Sequence, residues 1–380
     1  MVNYVFLSVY FYSVPNLRFT NNQLKDFKIV DICKLKQGNQ YDLKQQFTEE
    51  KSDLKRFIRI VDYTQKTNDI RYVYSNGSEN YVDCTDVVVV RYGASAGYVG
   101  RGINGIIANN LFTIRPINSA LLNKSYLYHY LNAPVIQKQL NNTQSSGMPA
   151  LNFQTINNLH ILLPEYQEQH QIAVFLDKID ERIQTQIKII NDYKLLKKYI
   201  TKSFIKQKGT SYLLSEIAEL GRGRVISSAE ISKQKNPIYP VYSSQTSNNG
   251  VMGYLDNYDY EGEYITWTTD GANAGTVYYR NGKFNCTNVC GILKIKNGYD
   301  AYYVSNILNC YTKKYVSTNL ANPKLMNNVM ANIKINLPSI ERQKYFSNIL
   351  KAIEYRVKIE QDIKLNLVKQ KVFLLKNMFL

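Results

Sequence analysis

Two short glycine-bounded segments, Gly93-Ala94-Ser95-Ala96-Gly97 and Gly271-Ala272-Asn273-Ala274-Gly275, are the first places in this sequence where chemistry could concentrate. Such loops can turn backbone amides toward an anion, which is how nucleotide loops cradle phosphate. Neither segment carries the lysine of a nucleotide loop or the three-glycine dinucleotide pattern. A tight turn between strands accounts for both. Their amides, with Ser95, Asn273 and Thr276, could also approach DNA phosphates or a base edge. Arg91, Arg101, Arg222, Arg224 and Arg280 lie near these turns and are candidates for phosphate or guanine contacts. Tyr72, Tyr74, Tyr92, Tyr242 and Trp267 could stack on bases, position neighbours or pack in a core.

The constellations that carry catalysis are missing from the sequence pattern. An adenine methyltransferase holds its flipped base with a Pro-Pro-aromatic motif. Asn236-Pro237-Ile238-Tyr239 comes near, but Ile238 replaces the second proline and no cofactor glycine motif accompanies it. A metal-dependent nuclease needs clustered carboxylates with a lysine, and Glu261 and Glu263 sit in a turn without that set. His129, His160 and His170 are too few and too scattered for a triad. Cys286 and Cys290 lie four apart with no further ligands nearby, so a zinc site is not expected. The five cysteines, odd in number and dispersed, fit a reducing cytosol.

The elements that must position these residues repeat. Leu163-Pro164-Glu165-Tyr166-Gln167-Glu168-Gln169 is matched by Leu337-Pro338-Ser339-Ile340-Glu341-Arg342-Gln343. Pro149-Ala150-Leu151 is matched by Pro323-Lys324-Leu325, the glycine segments match each other, and Val30-Asp31-Ile32 leading to Gly38 matches Ser215-Glu216-Ile217 leading to Gly223. Order is kept while spacing drifts by a few residues, as for two copies of one fold with loops of different length. The stretches 40–82 and 225–263 share little, which suggests a common scaffold carrying divergent readers.

Each copy ends in a long helical pattern. Apolar residues at Ile172, Leu176, Ile179, Ile183, Ile187, Ile190, Tyr193, Leu196, Ile200 and Phe204 recur about every 3.56 residues, close to coiled-coil spacing. Phe346, Leu350, Ile353, Val357, Ile363, Leu367, Leu374 and Met378 form the second stripe. Pro164 and Pro338 stand just outside the starts. A helix of this length, roughly 55 Å at 1.5 Å per residue, cannot bury a narrow stripe against a small domain. The two are expected to pair antiparallel through Ile172, Leu176, Ile179, Ile183 and Ile190 on one and Leu350, Ile353, Val357, Ile363 and Leu367 on the other. Such a rod would exceed one turn of DNA, about 34 Å.

The expected fold class is α+β: two mixed α/β domains, residues 1–163 and 209–337, joined and separated by spacer helices at 164–208 and 338–380. Expected strands include Val87–Val90, Gly105–Ile114, Tyr264–Thr268, Val277–Tyr279 and Gly291–Ile295, with helices at Ser125–Gln139 and Ala301–Tyr315. The formal charge of +17 over 380 residues favours a polyanionic partner, nucleic acid before anionic membrane. No run of about 18 apolar residues is present, and Val2 to Val14 lacks a basic leader and a cleavage site, so a cytoplasmic protein without a membrane span is expected.

Taken together, the repeat, the Leu-Pro-x-x-x-x-Gln junctions and the long helices resemble the specificity subunit of a type I restriction-modification system. The resemblance runs from Pro15-Asn16-Leu17-Arg18-Phe19 through Ile238 to Ser243 and Asn249-Gly250-Val251-Met252-Gly253, to Leu374 to Leu380. The second half, with Tyr260 to Ile265 and Gly271 to Val277, is the closer match. The resemblance implies two target-recognition domains that each read half of a bipartite, asymmetric site on double-stranded DNA. It implies partners as well: two methyltransferase subunits docked on the helices, and two restriction motor-nuclease subunits where cleavage occurs. S-adenosylmethionine would belong to the methyltransferase, and ATP and Mg to the motor subunit, leaving no cofactor, metal or catalytic residue in this chain. Base-contacting positions are not implied, because recognition residues differ between members. Two other readings stay open: a coiled-coil protein-interaction scaffold, and the recognition subunit of another bipartite methylation system.

Overall fold

A computed structural model describes residues 24–65, 67–141, 149–317 and 322–379. The Val2 to Val14 run, the Pro15 to Phe19 opening and Leu380 lie outside the described residues. The chain divides into two compact units, Met1–Ile187 with Asp362–Leu380, and Lys188–Gln361.

In the first unit a four-stranded antiparallel sheet runs in the order Cys33–Gln37, Leu111–Pro116, Val87–Val90, Val99–Gly100. Val87–Val90 is buried on both faces, which explains its unbroken valine run. A second sheet, ordered Arg71–Tyr74, Leu54–Ile58, Gly105–Ile107, Tyr81–Val82, holds the segment that the two copies do not share. The expected strand from Gly105 to Ile114 is therefore two strands in different sheets, divided by the turn at Asn109-Asn110.

The second unit repeats the four-strand order as Ala218–Arg222, Cys290–Ile295, Tyr260–Thr268, Val277–Cys286. Here the unshared segment extends the same sheet, with Tyr239–Tyr242 parallel to Val277–Cys286 and Val251–Leu255 beyond it. In each unit an outlying pair closes the domain: Lys25–Lys28 against His160–Leu163, and Thr210–Leu213 against Lys334–Leu337.

Helices cover one sheet face. The predicted helix at Ser125–Gln139 is split into Lys124–Leu131 and Pro134–Asn141. Pro134 cannot donate into a preceding helical turn but suits the first position of a new one. Ala301–Tyr311 is followed by a tighter turn, Thr312–Tyr315, in place of one continuous helix.

The Leu-Pro-x-x-x-x-Gln junction has the same construction twice. Gln169, 1% exposed, accepts from the backbone N–H of Asn123 (3.0 Å) and donates to the Pro164 carbonyl (3.0 Å). Gln343, 2% exposed, accepts from the Asp300 N–H (3.0 Å) and donates to the Pro338 carbonyl (2.8 Å). Asn123 and Asp300 are the N-caps of the covering helices. One buried amide thus ties the start of each long helix to the cap of a neighbouring helix.

The long helices are Tyr166–Ile205 and Ile340–Met378. Within each unit the segments present run antiparallel. In the first, Lys371 pairs with Asp180 while Met378 and Phe379 line one pocket with Ile172; in the second, Lys197 pairs with Glu354 and Phe204 stacks on Phe346 at 3.5 Å. Of the expected seam residues, Ile172, Leu176, Ile183, Ile190, Leu350, Ile353 and Leu367 are buried, and Ile179 and Val357 are half-buried. Ile363 is 39% exposed and is removed from the seam. Alternating steps of three and four carry the buried row from Val357 through Glu360 and Lys364 to Leu367, one residue away from Ile363. Leu196, 44% exposed, leaves the first stripe for the same reason.

Candidate nucleic-acid interface

The two glycine segments adopt the same turn. In the first unit Gly97 donates to the Val90 carbonyl, Val90 to Tyr98, Ala96 to Gly93, and Tyr98 to Ser95. In the second, Gly275 donates to Thr268, Thr268 to Thr276, Ala274 to Gly271, and Thr276 to Asn273. The glycines are required at positive φ, +87° and +88° for Gly93 and Gly97 and +90° and +80° for Gly271 and Gly275. Each first glycine donates to a proline carbonyl, Pro149 or Pro323, so the matched Pro-x-Leu segment is the clamp that docks the turn.

The second turn carries the more open polar surface. Asn273 is exposed and donates to Thr246 Oγ1 (3.1 Å); Thr276 is half-buried and donates to the Asn273 carbonyl (2.8 Å). Lys313 Nζ lies 3.1 Å from the Ala274 carbonyl, and Lys324 is 3.6 Å from Asp270. Beside it, Asn248 and Asn249 both take positive φ (48° and 52°) before Gly250. Asparagine tolerates that conformation better than most residues.

Arg280 fixes this loop. It is 7% exposed, its Nη2 donates to the Asn249 carbonyl (2.7 Å) and its Nε to Thr266 Oγ1 (3.1 Å). Its guanidinium lies 3.5 Å from the Tyr242 ring centroid and 4.4 Å from that of Tyr278. Burial disfavours its charge, and no carboxylate among the described residues pairs with it. The tyrosine faces supply the attraction instead. Arg222 and Arg224 are exposed but engaged: Arg222 with Asn327 (3.1 Å), and Arg224 with Glu230 (2.7 Å) and Asp259 (3.0 Å). Trp267 is a correction. It is 0% exposed, donates its indole N–H to the Leu325 carbonyl (3.0 Å), and packs so tightly on Gly291 that a Cβ there would fall 2.1 Å from the ring. It is a core residue and cannot stack on a base.

In the first unit Ser95 and Tyr92 are half-buried, with Tyr92 bridged to Ala150. Arg91 lies over Phe153 (4.3 Å) and Tyr92 (4.8 Å) and donates to Gln37 Oε1 (2.7 Å). Arg101 turns inward: it reaches Ser125 and Asp177 and covers the Tyr128 ring at 3.9 Å. Asp177 also accepts from Ser125 (2.7 Å) and lies 2.7 Å from His129 Nε2. Burial would raise the Asp177 carboxyl, but hydrogen bonds from His129, Arg101 and Ser125 hold it well below the usual range. Burial pushes the fully enclosed His129 down, against the pull of Asp177. Among the described residues His129, Asp177 and Asp180 form the one group with metal-ligand spacing. Arg101 and Lys371 already supply the positive charge there, so the set reads as an internal ion network.

The family model for the type I restriction modification DNA specificity domain matches the chain twice, over residues 21–192 and 209–370. The chain belongs to this family. Each specificity-domain match spans one copy of the repeated unit, with its sheets and most of the long helix after them. A putative type I specificity subunit of Mycoplasma pneumoniae is 35% identical over 226 residues, covering 57% of this chain and 82% of that protein. The N-terminus of another putative specificity subunit from the same organism is 44% identical over 142 residues, 37% of this chain and 75% of that protein. The fold is that of a type I restriction-modification S subunit from M. genitalium, with a TM-score of 0.63 at 17% identity over 96% of this chain and 99% of that one.

Within this specificity fold, sequence reasoning missed Lys313, Lys324 and Tyr278. The first comes from the turn after Ala301–Tyr311 and the second from the clamp, and only folding brings them to the glycine turn. Tyr278 was readable, since it lies two residues before Arg280 on one strand and therefore on the same face.

Proposed function

We propose that this chain is the DNA-reading subunit of a type I restriction-modification complex, without catalysis of its own, and that it reads a split, asymmetric site. Residues up to 163 read one half and residues 209–337 the other, with 164–208 and 338–380 as spacers that set the gap. The observation that carries this reading is the repetition of one sheet order, one clamped glycine turn and one glutamine junction, each time around an unshared segment. A duplicated scaffold with divergent insertions suits two readers of the same kind of target. Two methyltransferase subunits, holding S-adenosylmethionine, would act with the chain, joined by motor-nuclease subunits holding ATP and Mg. In the second half, Asn273, Thr276 and the loop held by Arg280 would be the residues that meet DNA.

The test is to co-express the chain with its candidate methyltransferase and map methylated adenines in host DNA by single-molecule sequencing. A split motif with a fixed gap is the expected result. A continuous motif would remove the two-reader reading, and failure to form a complex would favour a scaffold.

A further inference from the structure

Lys194, Lys197, Lys198 and Lys202 on the central helix and Lys314 on the turn after Ala301–Tyr311 line one cleft of about 540 Å³, wholly within the second unit. Thr201, Asn306 and Asn309 add polar atoms to its wall. Lys197 is held by Glu354. Among the described residues, Lys194, Lys198, Lys202 and Lys314 have no carboxylate partner. Like charges four apart on a helix repel, so Lys194, Lys198 and Lys202 carry a mutual repulsion that no carboxylate among the described residues offsets. Along the C-terminal helix Lys194 and Lys198 correspond to Val368 and Val372, whereas Lys197 and Lys202 correspond to Lys371 and Lys376, so only the first pair is particular to the central helix. The lysine field also acts on the Cys310 thiol: burial raises it, while Lys202, Lys197 and Lys198 pull it down.

The cleft is joined to the second glycine turn through its own wall. Asn309 accepts from the Val277 N–H, Thr312 donates to the Gly275 carbonyl (2.6 Å), and Lys313, next to Lys314, reaches Ala274. Lysine charge thus runs from the turn onto the helix without an intervening acidic side chain among these wall residues.

We propose that this cleft is a phosphate track: it holds the backbone of the DNA that the second unit reads, adding affinity without sequence information. The proposal rests on the DNA-reading role above. Three lysines spread over about 12 Å of helix match three or four phosphates of one strand at about 3.4 Å of duplex axis each. Continuity with the turn favours DNA over an acidic protein surface.

The test uses the full chain in complex with its methyltransferase, comparing wild type with a Lys194→Gln, Lys198→Gln, Lys202→Gln triple variant. Glutamine keeps helix propensity and removes charge. The salt dependence of DNA affinity should weaken, the slope of log K against log salt falling by about two to three units. The loss should be equal on the methylated motif and on scrambled DNA, and the motif itself should not change. The matching triple Lys→Arg variant should restore the slope. The single Lys198→Gln variant, which leaves most of the helix untouched, should move it by about 0.9. An unchanged slope with normal binding overturns the track. So does an altered motif, which would mean base reading, or loss of the methyltransferase from the complex, which would mean an acidic protein partner. Absence of DNA binding by the wild-type complex would remove the DNA-reading role and the track together.

Discussion

Single residues divide into those that hold each domain in place and those left exposed on its turns. Gln343 shows the first kind. Replacing it with leucine leaves the Asp300 N–H and the Pro338 carbonyl without their partner in a closed site, at a cost of about 2 kcal/mol. Gln343→Leu is expected to lower the melting temperature by several degrees, with Gln169→Leu behaving alike; thermal unfolding followed by circular dichroism checks both. His129 gives a pH signature. Its folded value is depressed, so the native chain keeps it neutral while the unfolded imidazole takes up a proton below about pH 6.5. Unfolding then gains protons, and stability falls as pH drops from about 7 to 5. Asp177, held low by its partners, contributes stability that is lost only at more acid pH, below about 4. His129→Gln should flatten the first decline and keep the second, as read from denaturant midpoints across pH. The two glutamines, the glycine turns and the proline clamps were all legible, because each depends on a local backbone demand that only a few residue types meet. Trp267 was not. An aromatic on a strand can face a core or a ligand, and which one depends on Gly291 and Leu325, neither of them near in sequence.

At the scale of elements the long helices were readable from their apolar period, and their limits were marked by Pro164 and Pro338. The phase of the second stripe was not, because Glu360 and Lys364 occupy positions that an apolar template skips. Glu360 is 3% exposed and paired with Arg356. A pair of substitutions separates the two phases. Ile183→Asp places a carboxylate at a site 9% exposed and is expected to cost about 3 kcal/mol or more. Ile363→Asp, at a site 39% exposed, should stay within about 0.5 kcal/mol. Equal losses in urea unfolding would put Ile363 back in the seam. The break at Pro134 was equally legible in principle.

For the whole molecule, duplication was visible in the sequence, and the structure shows that it extends to strand order. What remained hidden was how each unshared segment is used, as a separate sheet in one copy and as two added strands in the other. Replacing Tyr212–Leu337 with the corresponding domain of another family member is expected to change one half of the methylated motif and leave the other half and the gap unchanged. Single-molecule mapping reads this directly, and a change in both halves would contradict independent readers. The glutamine junction has a consequence for inheritance. Because the buried amide, the proline carbonyl and the helix cap meet in the same way at both joints, a genetic crossover between the joints would yield a chain in which these three groups still pair. Recombination at the joints would therefore keep this buried contact paired, whichever domain is brought in.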